Sequence, residues 1–88
     1  MVVGGPLCES GDIFTQEEGG FVSPRSLPVA QVGDYLVIEC AGAYGAVMGS
    51  NYNSKPLAAE VLIQDGRAQL IRARQSFEDL VRGERIPE

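Results

Sequence analysis

With 88 residues, 44% hydrophobic and 22% charged, this chain has the composition of one small globular domain rather than of a disordered segment. Its net charge of -5, from 7 basic and 12 acidic residues, repels nucleic acid and anionic lipid, so neither is expected as a partner. The absence of histidine excludes a Ser-His-Asp hydrolase, and with only two distant cysteines it leaves no ligand set for zinc. No run is long and apolar enough to span a membrane, and the first residues carry neither the basic stretch nor the apolar core of a secretion signal, so the expected compartment is the cytoplasm. In that reducing setting Cys8 and Cys40 are expected as two thiols, not a disulfide.

In chain order, Val2 and Val3 read as the end of a strand broken by Gly4-Gly5-Pro6. Residues 15–28, rich in Gln, Glu, Gly, Ser and Pro without periodicity, read as a long loop. Gly33-Asp34 turns the chain into Tyr35-Leu36-Val37-Ile38-Glu39-Cys40, dense in β-formers, with Leu36, Ile38 and Cys40 on one face. That placement predicts Cys40 as a core residue. Residues 42–53 are too irregular for a strand and are expected to form a loop with a helical turn near 44–48.

Asp65-Gly66 separates two apolar runs, 60–64 and 67–72, and predicts a type I′ hairpin, because both central positions need positive φ. Near the end, Ser76 with Asp79 three residues on predicts a capping box. Phe77, Leu80 and Val81 share a helical face, and Gly83 suits a C′ stop. The fold class expected is mainly β with one or two short helices.

Three ordered motifs carry the functional signal. They are Cys8-Glu9-Ser10-Gly11-Asp12, then Ala41-Gly42-Ala43-Tyr44-Gly45, then Ser50-Asn51-Tyr52-Asn53. Together with Arg25-Ser26-Leu27-Pro28, Ala59-Glu60-Val61-Leu62 and Ser76-Phe77-Glu78-Asp79-Leu80, they resemble the C-terminal half of the diaminopimelate decarboxylases over nearly the whole chain. The resemblance implies a fold, a cofactor and a set of partners. The fold would be the small β-barrel or sandwich-like C-terminal domain of an alanine racemase/ornithine decarboxylase-type enzyme, spanning residues 1–88. The cofactor would be pyridoxal 5'-phosphate, held mainly by an N-terminal barrel that this chain lacks. The partners would be that barrel domain, a second subunit in a homodimer, and the substrate meso-diaminopimelate, converted to lysine and CO2.

Site residues follow from the same resemblance. Cys8 matches the proton donor that reaches the active site of the other subunit. A thiol is mostly protonated at neutral pH and can act as an acid. By composition alone Cys8 reads as a small buried residue, and the CESGD context reverses that reading. Glu9 matches the residue that holds the distal ammonium of the substrate, which a carboxylate does by a charge-assisted hydrogen bond. Alone, it reads as a solubilising turn residue. Tyr44 matches a tyrosine in contact with cofactor phosphate and substrate, against the plainer reading of a ring packed over a strand end.

Asp12 reads as a turn residue and Asn51 and Asn53 as loop-fixing amides. The single lysine, Lys55, lies between Ser54 and Pro56 in a turn and reads as a solvated charge, not a Schiff-base former. Two positions depart from the family pattern: Lys55 stands where arginine is usual, and Gly49 where serine is. Two other readings stay open, a related ornithine- or arginine-type decarboxylase and a stand-alone β-module for dimerisation or regulation.

Overall fold

A computed structural model describes residues 1–88. The chain divides into two compact units, Met1–Glu39 and Cys40–Glu88. In the first, three short segments are tied together around Thr15, which is 4% exposed and the one buried residue of the chain. Its hydroxyl accepts from the Val3 N–H at 3.0 Å, and its carbonyl accepts from Ser23 N–H at 2.9 Å. Gly4 pairs antiparallel with Ile13, and Gln16 with Val22. The second of these pairings closes a tight turn in which Gly20 N–H donates to the Glu17 carbonyl. The 15–28 stretch, expected as a plain loop, therefore contains a small hairpin. The turn expected at Gly33-Asp34 forms, with Asp34 N–H donating to Gln31 O and the Asp34 carboxylate accepting from Gln31 N–H.

The second unit holds the regular elements. Strand β1, Glu60–Gln64, pairs antiparallel with β2, Arg67–Arg72, through the two-residue turn Asp65-Gly66. Both turn residues have positive φ, 50° and 72°, as a type I′ turn requires. The register pairs Val61 with Leu70 and Ile63 with Ala68 on one apolar face. Leu62 faces Gln69, and Gln64 faces Arg67, on the other. Beside Glu60 the ladder slips by one residue, leaving Ile71 as a bulge, and Glu60 then meets Arg72 in an ion pair at 2.6 Å.

Helix α1, Phe77–Val81, follows with the expected capping box: Ser76 Oγ accepts from Asp79 N–H, and the Asp79 carboxylate accepts from Ser76 N–H. Gly83 stands one residue past the C-cap Arg82, as expected, but without the left-handed φ of a glycine stop. Short 3₁₀ turns at Ala46–Met48 and Tyr52–Ser54 complete the unit.

The architecture is mainly β, but its sheet has two strands and is not closed into a barrel. Two further expectations are corrected. Residues 35–40 form no ladder with any other segment, and Cys40 is an exposed residue at φ 54°, not a core one. The cause is common to both. The chain contains no segment that pairs with this run, and a strand without a neighbour has no interior face on which to bury Cys40.

No apolar side chain is buried in either unit. The chain exposes 8145 Å², against about 5,000 Å² for a folded protein of its mass. Roughly 40% of the unfolded surface is removed, well short of the roughly 60% that a domain this small removes when its core is complete.

Candidate functional site

Cys8 and Glu9 sit on the loop that joins the Gly4 and Ile13 segments. The base of this loop is held by Gly5 and Asp12: Gly5 N–H donates to the Asp12 carbonyl at 2.8 Å, and the Asp12 carboxylate accepts from Leu7 N–H at 2.9 Å. A Cβ at position 5 would lie 2.0 Å from Asp12 Oδ2, so only glycine lets the carboxylate fold back over the backbone. At the tip, Glu9 Oε1 accepts from Gly11 N–H at 3.0 Å, and the Glu9 carbonyl accepts from Asp12 N–H at 3.1 Å. The result is a loop braced by two carboxylates that presents Cys8 as an exposed thiol. Asp12 takes the turn-fixing part expected of it.

Tyr44 belongs to the second unit. It stands at φ 58°, a left-handed conformation uncommon for a ring-bearing residue, and is 91% exposed. The turn that imposes this geometry is local. Ala46 N–H reaches back to the Ala41 carbonyl at 2.7 Å, and that carbonyl comes so close to Gly45 that a Cβ there would be 2.3 Å away. The small residues of the Ala41-Gly42-Ala43-Tyr44-Gly45 stretch thus hold a tight turn that projects a phenol into solvent. A directed O–H donor and acceptor results.

The asparagine-rich turn is held by a residue that no sequence pattern singles out. Asn51 Nδ2 donates to Gln75 Oε1 at 2.6 Å and to the Lys55 carbonyl at 3.0 Å. The same Gln75 Oε1 accepts from Leu57 N–H at 2.8 Å, and Gln75 N–H donates to the Leu57 carbonyl at 3.1 Å. Gln75 thereby ties the turn to the segment between β2 and α1. No periodicity or turn signal marks a glutamine for such a task, since its partner lies 24 residues away. Asn51 fixes the loop as expected. Lys55 is exposed directly after the Tyr52–Ser54 turn, its backbone N–H donating to the Tyr52 carbonyl. At Gly49 a side chain would be crowded: a Cβ there would stand 3.1 Å from Ala46 O and 3.2 Å from Leu57 Cδ2, so a serine there fits only if its neighbours give way.

A thiol, a carboxylate and a phenol on braced, exposed loops can add contacts to a bound molecule, but no enclosed chamber forms around any of them. Comparison with known proteins shows which proteins the chain resembles. The family profile described as "Pyridoxal-dependent decarboxylase, C-terminal sheet domain" matches residues 1–42. A diaminopimelate decarboxylase of Escherichia coli (strain K12) is 62% identical over 80 residues, 91% of this chain and 19% of that protein. One from Streptomyces coelicolor is 52% identical over 86 residues, 98% of this chain and 20% of that protein. Among solved structures, a crystal structure of diaminopimelate decarboxylase superposes with a TM-score of 0.88 at 62% identity, over 92% of this chain and 19% of that one.

The likeness is thus to one stretch of the diaminopimelate decarboxylases, over nine-tenths of this chain. A second solved structure, of the diaminopimelate decarboxylase from M. jannaschi, superposes with a TM-score of 0.83 at 36% identity, over 98% of this chain and 18% of that one. The chain therefore spans about a fifth of the length of the relatives it matches. Its conformation follows that of the matching stretch of those longer chains. For the family's cofactor the residues present fit as contributors only: Tyr44 is an exposed donor on a close-approach turn, while the single lysine is a solvated turn residue.

Proposed function

We propose that this chain is the C-terminal β-domain of a pyridoxal phosphate-dependent diaminopimelate decarboxylase, converting meso-diaminopimelate to lysine and CO2. The observation that carries the reading is the 62% identity and 0.88 TM-score to a solved diaminopimelate decarboxylase over nine-tenths of the chain. The remaining four-fifths of such an enzyme is the source of the barrel that holds the cofactor, and of the strands that close this sheet into a β-barrel or sandwich-like domain.

Bound pyridoxal phosphate supplies the electron sink for loss of CO2. The chain's own residues then do three things. Cys8 Sγ–H donates a proton to the carbon that lost the carboxylate, acting in the site of the second subunit of a homodimer. Glu9 offers its carboxylate to the distal ammonium of the substrate, a charge-assisted contact that favours a diamino acid over shorter amino acids. Tyr44 donates its phenolic O–H to cofactor phosphate or substrate. The bracing of these loops within the chain supports such roles, because a donor held in place before binding loses little entropy when it acts.

The test is complementation. The 88-residue chain is mixed with a diaminopimelate decarboxylase truncated before its C-terminal fifth, loaded with pyridoxal phosphate, and lysine formation is followed. The expected result is no turnover with either piece alone and measurable turnover with both. Cys8→Ala should lower the reconstituted turnover by about 10²-fold or more with little change in KM, as loss of a general acid does. Normal turnover with Cys8→Ala would remove Cys8 from the chemistry while leaving the family assignment intact.

A further inference from the structure

Asp12 bonds to the chain on both sides of Cys8. Its carbonyl accepts from Gly5 N–H at 2.8 Å, its carboxylate accepts from Leu7 N–H at 2.9 Å, and its own N–H donates to the Glu9 carbonyl at 3.1 Å. Cys8 sits between the last two of these anchors. Gly5, Leu7 and Asp12 are half-buried, while Cys8 and Glu9 are exposed. The space for the carboxylate exists because Gly5 has no side chain: the three atoms of the carboxyl group lie 2.0 to 2.3 Å from where a Cβ would stand. Two of the three bonds are made by backbone atoms of Asp12, and these already close the turn. Only the bond to Leu7, the residue before Cys8, needs the carboxylate. Glu9 has a brace of its own, since its Oε1 accepts from Gly11 N–H at 3.0 Å. The Asp12 side chain therefore serves the approach to Cys8 and not the carboxylate of Glu9.

We propose that Asp12 is the positioning residue of the Cys8 thiol: by holding Leu7 N–H, its carboxylate fixes the direction from which Sγ is presented. The inference rests on the reading of Cys8 as proton donor and names the group that aims it. Proton transfer needs the donor within hydrogen-bond reach of the carbon it protonates, and a displacement of about 1 Å can cost on the order of 10²-fold in rate. An exposed thiol draws little restraint from packing, so the direction of the backbone that leads into it decides where the proton goes. Without the carboxylate, Leu7 N–H loses its acceptor and that backbone loosens. Turnover then falls through Cys8 alone, with substrate held as before by Glu9.

The experiment uses the enzyme reconstituted from this chain and the truncated decarboxylase, and the 88-residue chain itself. Asp12→Ala should lower kcat by about 10-fold or more with KM within about twofold, and Asp12→Asn, which keeps an acceptor oxygen, should recover most of the loss. Asp34→Ala is the control. The Asp34 carboxylate accepts from Gln31 N–H at 2.8 Å in the same unit, and its removal should leave kcat unchanged. In a Cys8→Ala background, Asp12→Ala should cost no more than about twofold, because a positioning residue has no effect once its target is gone. Gly5→Ala, which displaces the same carboxylate without replacing it, is the second variant and should lower kcat in the same way. In the chain alone, hydrogen exchange of the Leu7 amide should quicken by about 10-fold in Asp12→Ala and stay near wild type in Asp12→Asn. A loss as large in the Cys8→Ala background, or an Asp12→Ala enzyme no slower than Asp34→Ala, overturns the positioning role while leaving Cys8 as the donor. Full turnover in Cys8→Ala alone overturns the donor reading and this proposal with it. Unchanged Leu7 exchange in Asp12→Ala overturns the proposal whatever the turnover.

Discussion

The Cys8 loop and the 35–39 run lie in the same unit and could hardly differ more. The loop, from Gly5 to Asp12, satisfies its backbone with its own side chains: the Asp12 carboxylate takes Leu7 N–H, and the Glu9 carboxylate takes Gly11 N–H. The run has strong β-formers and no bond to any neighbour. Turn geometry is encoded within a few residues and survives wherever those residues go. A strand is a relation between segments, and it needs the second segment to exist. The positions matched to chemistry, Cys8, Glu9 and Tyr44, all lie on the self-contained kind of structure. The parts that would make a core lie on the other kind.

This contrast fails most visibly if the braced turns depend on something outside them. At Gly45 the obstacle to a side chain is the Ala41 carbonyl, which is backbone and cannot swing away. Gly45→Ala should therefore open the Ala41-to-Ala46 hydrogen bond and release Tyr44 from its left-handed conformation, at a cost of about 2–3 kcal/mol. Hydrogen exchange of the Ala46 amide should then quicken by roughly 10-fold or more, with Ile63 in the hairpin unaffected. Unchanged exchange at Ala46 would mean that the turn is held by other contacts. Gly5→Ala meets a movable carboxylate instead, so its effect should be smaller and confined to Leu7, whose N–H loses its acceptor.

Gln75 gives the next step down. Gln75→Ala removes the acceptor shared by Asn51 and Leu57, both reachable by water once it is gone, and should loosen the turn by about 1 kcal/mol. Gln75→Glu keeps an acceptor oxygen in place and should recover most of the loss. Nuclear magnetic resonance shifts of the Asn51 side-chain amide would follow both. A Glu variant as disruptive as Ala would show that the amide nitrogen of Gln75 matters, not the shared oxygen.

What could be read beforehand divides along the same line. The Asp65-Gly66 hairpin, the Ser76 capping box, the turn at Gly33-Asp34 and a helical turn near 44–48, found at Ala46–Met48, were all legible, because each depends on residues close together in the chain. Gln75 was not, since its partner is 24 residues off and glutamine has no positional preference to betray it. Cys40 was misread for the converse reason. Its period-two spacing with Leu36 and Ile38 is sound evidence for a strand face, but a face is interior only when something lies against it. Of the candidate site, the turn role of Asp12 and the loop-fixing role of Asn51 were legible, while the Glu9-to-Gly11 and Gly5-to-Asp12 bracing of the Cys8 loop was not, because it depends on how those few residues fold over one another.

Thiol labelling adds a finer test, because the two cysteines sample the two kinds of structure. Both are exposed, so both should react with a maleimide in the native chain at rates within a few-fold of each other. In a complemented enzyme they should part. Cys40 should become slow as its run gains neighbours, and Cys8 should slow only when substrate or cofactor is added. A Cys40 that stays fast in an active reconstituted enzyme would show that the 35–40 run remains uncovered there.

The smallest effect belongs to the most local element. Helix α1 draws its start from the Ser76 capping box, and both acidic residues of its first turn are held below the ordinary carboxylate range. For Glu78 the leading cause is a hydrogen bond from its own backbone N–H, with help from Ser76, and for Asp79 it is the backbone N–H of Ser76, with Arg82 as an added cation. A carboxylate whose pKa is lower folded than unfolded stabilises the folded form above its unfolded value. That contribution is lost as pH falls through the folded value. The helix should therefore be indifferent to pH from neutrality to about 4.5 and should fray progressively below about 4. Glu78 is exposed and Asp79 half-buried at the surface, so the change should be small and should shrink further in high salt. The Asp79 amide shift reports it directly, read against Ile63. Ser76→Ala should cost about 1 kcal/mol at neutral pH and flatten the acid transition, since the hydroxyl that organises the cap is gone. A transition of unchanged size in Ser76→Ala would place the acid sensitivity in the Asp79–Arg82 ion pair and not in the cap.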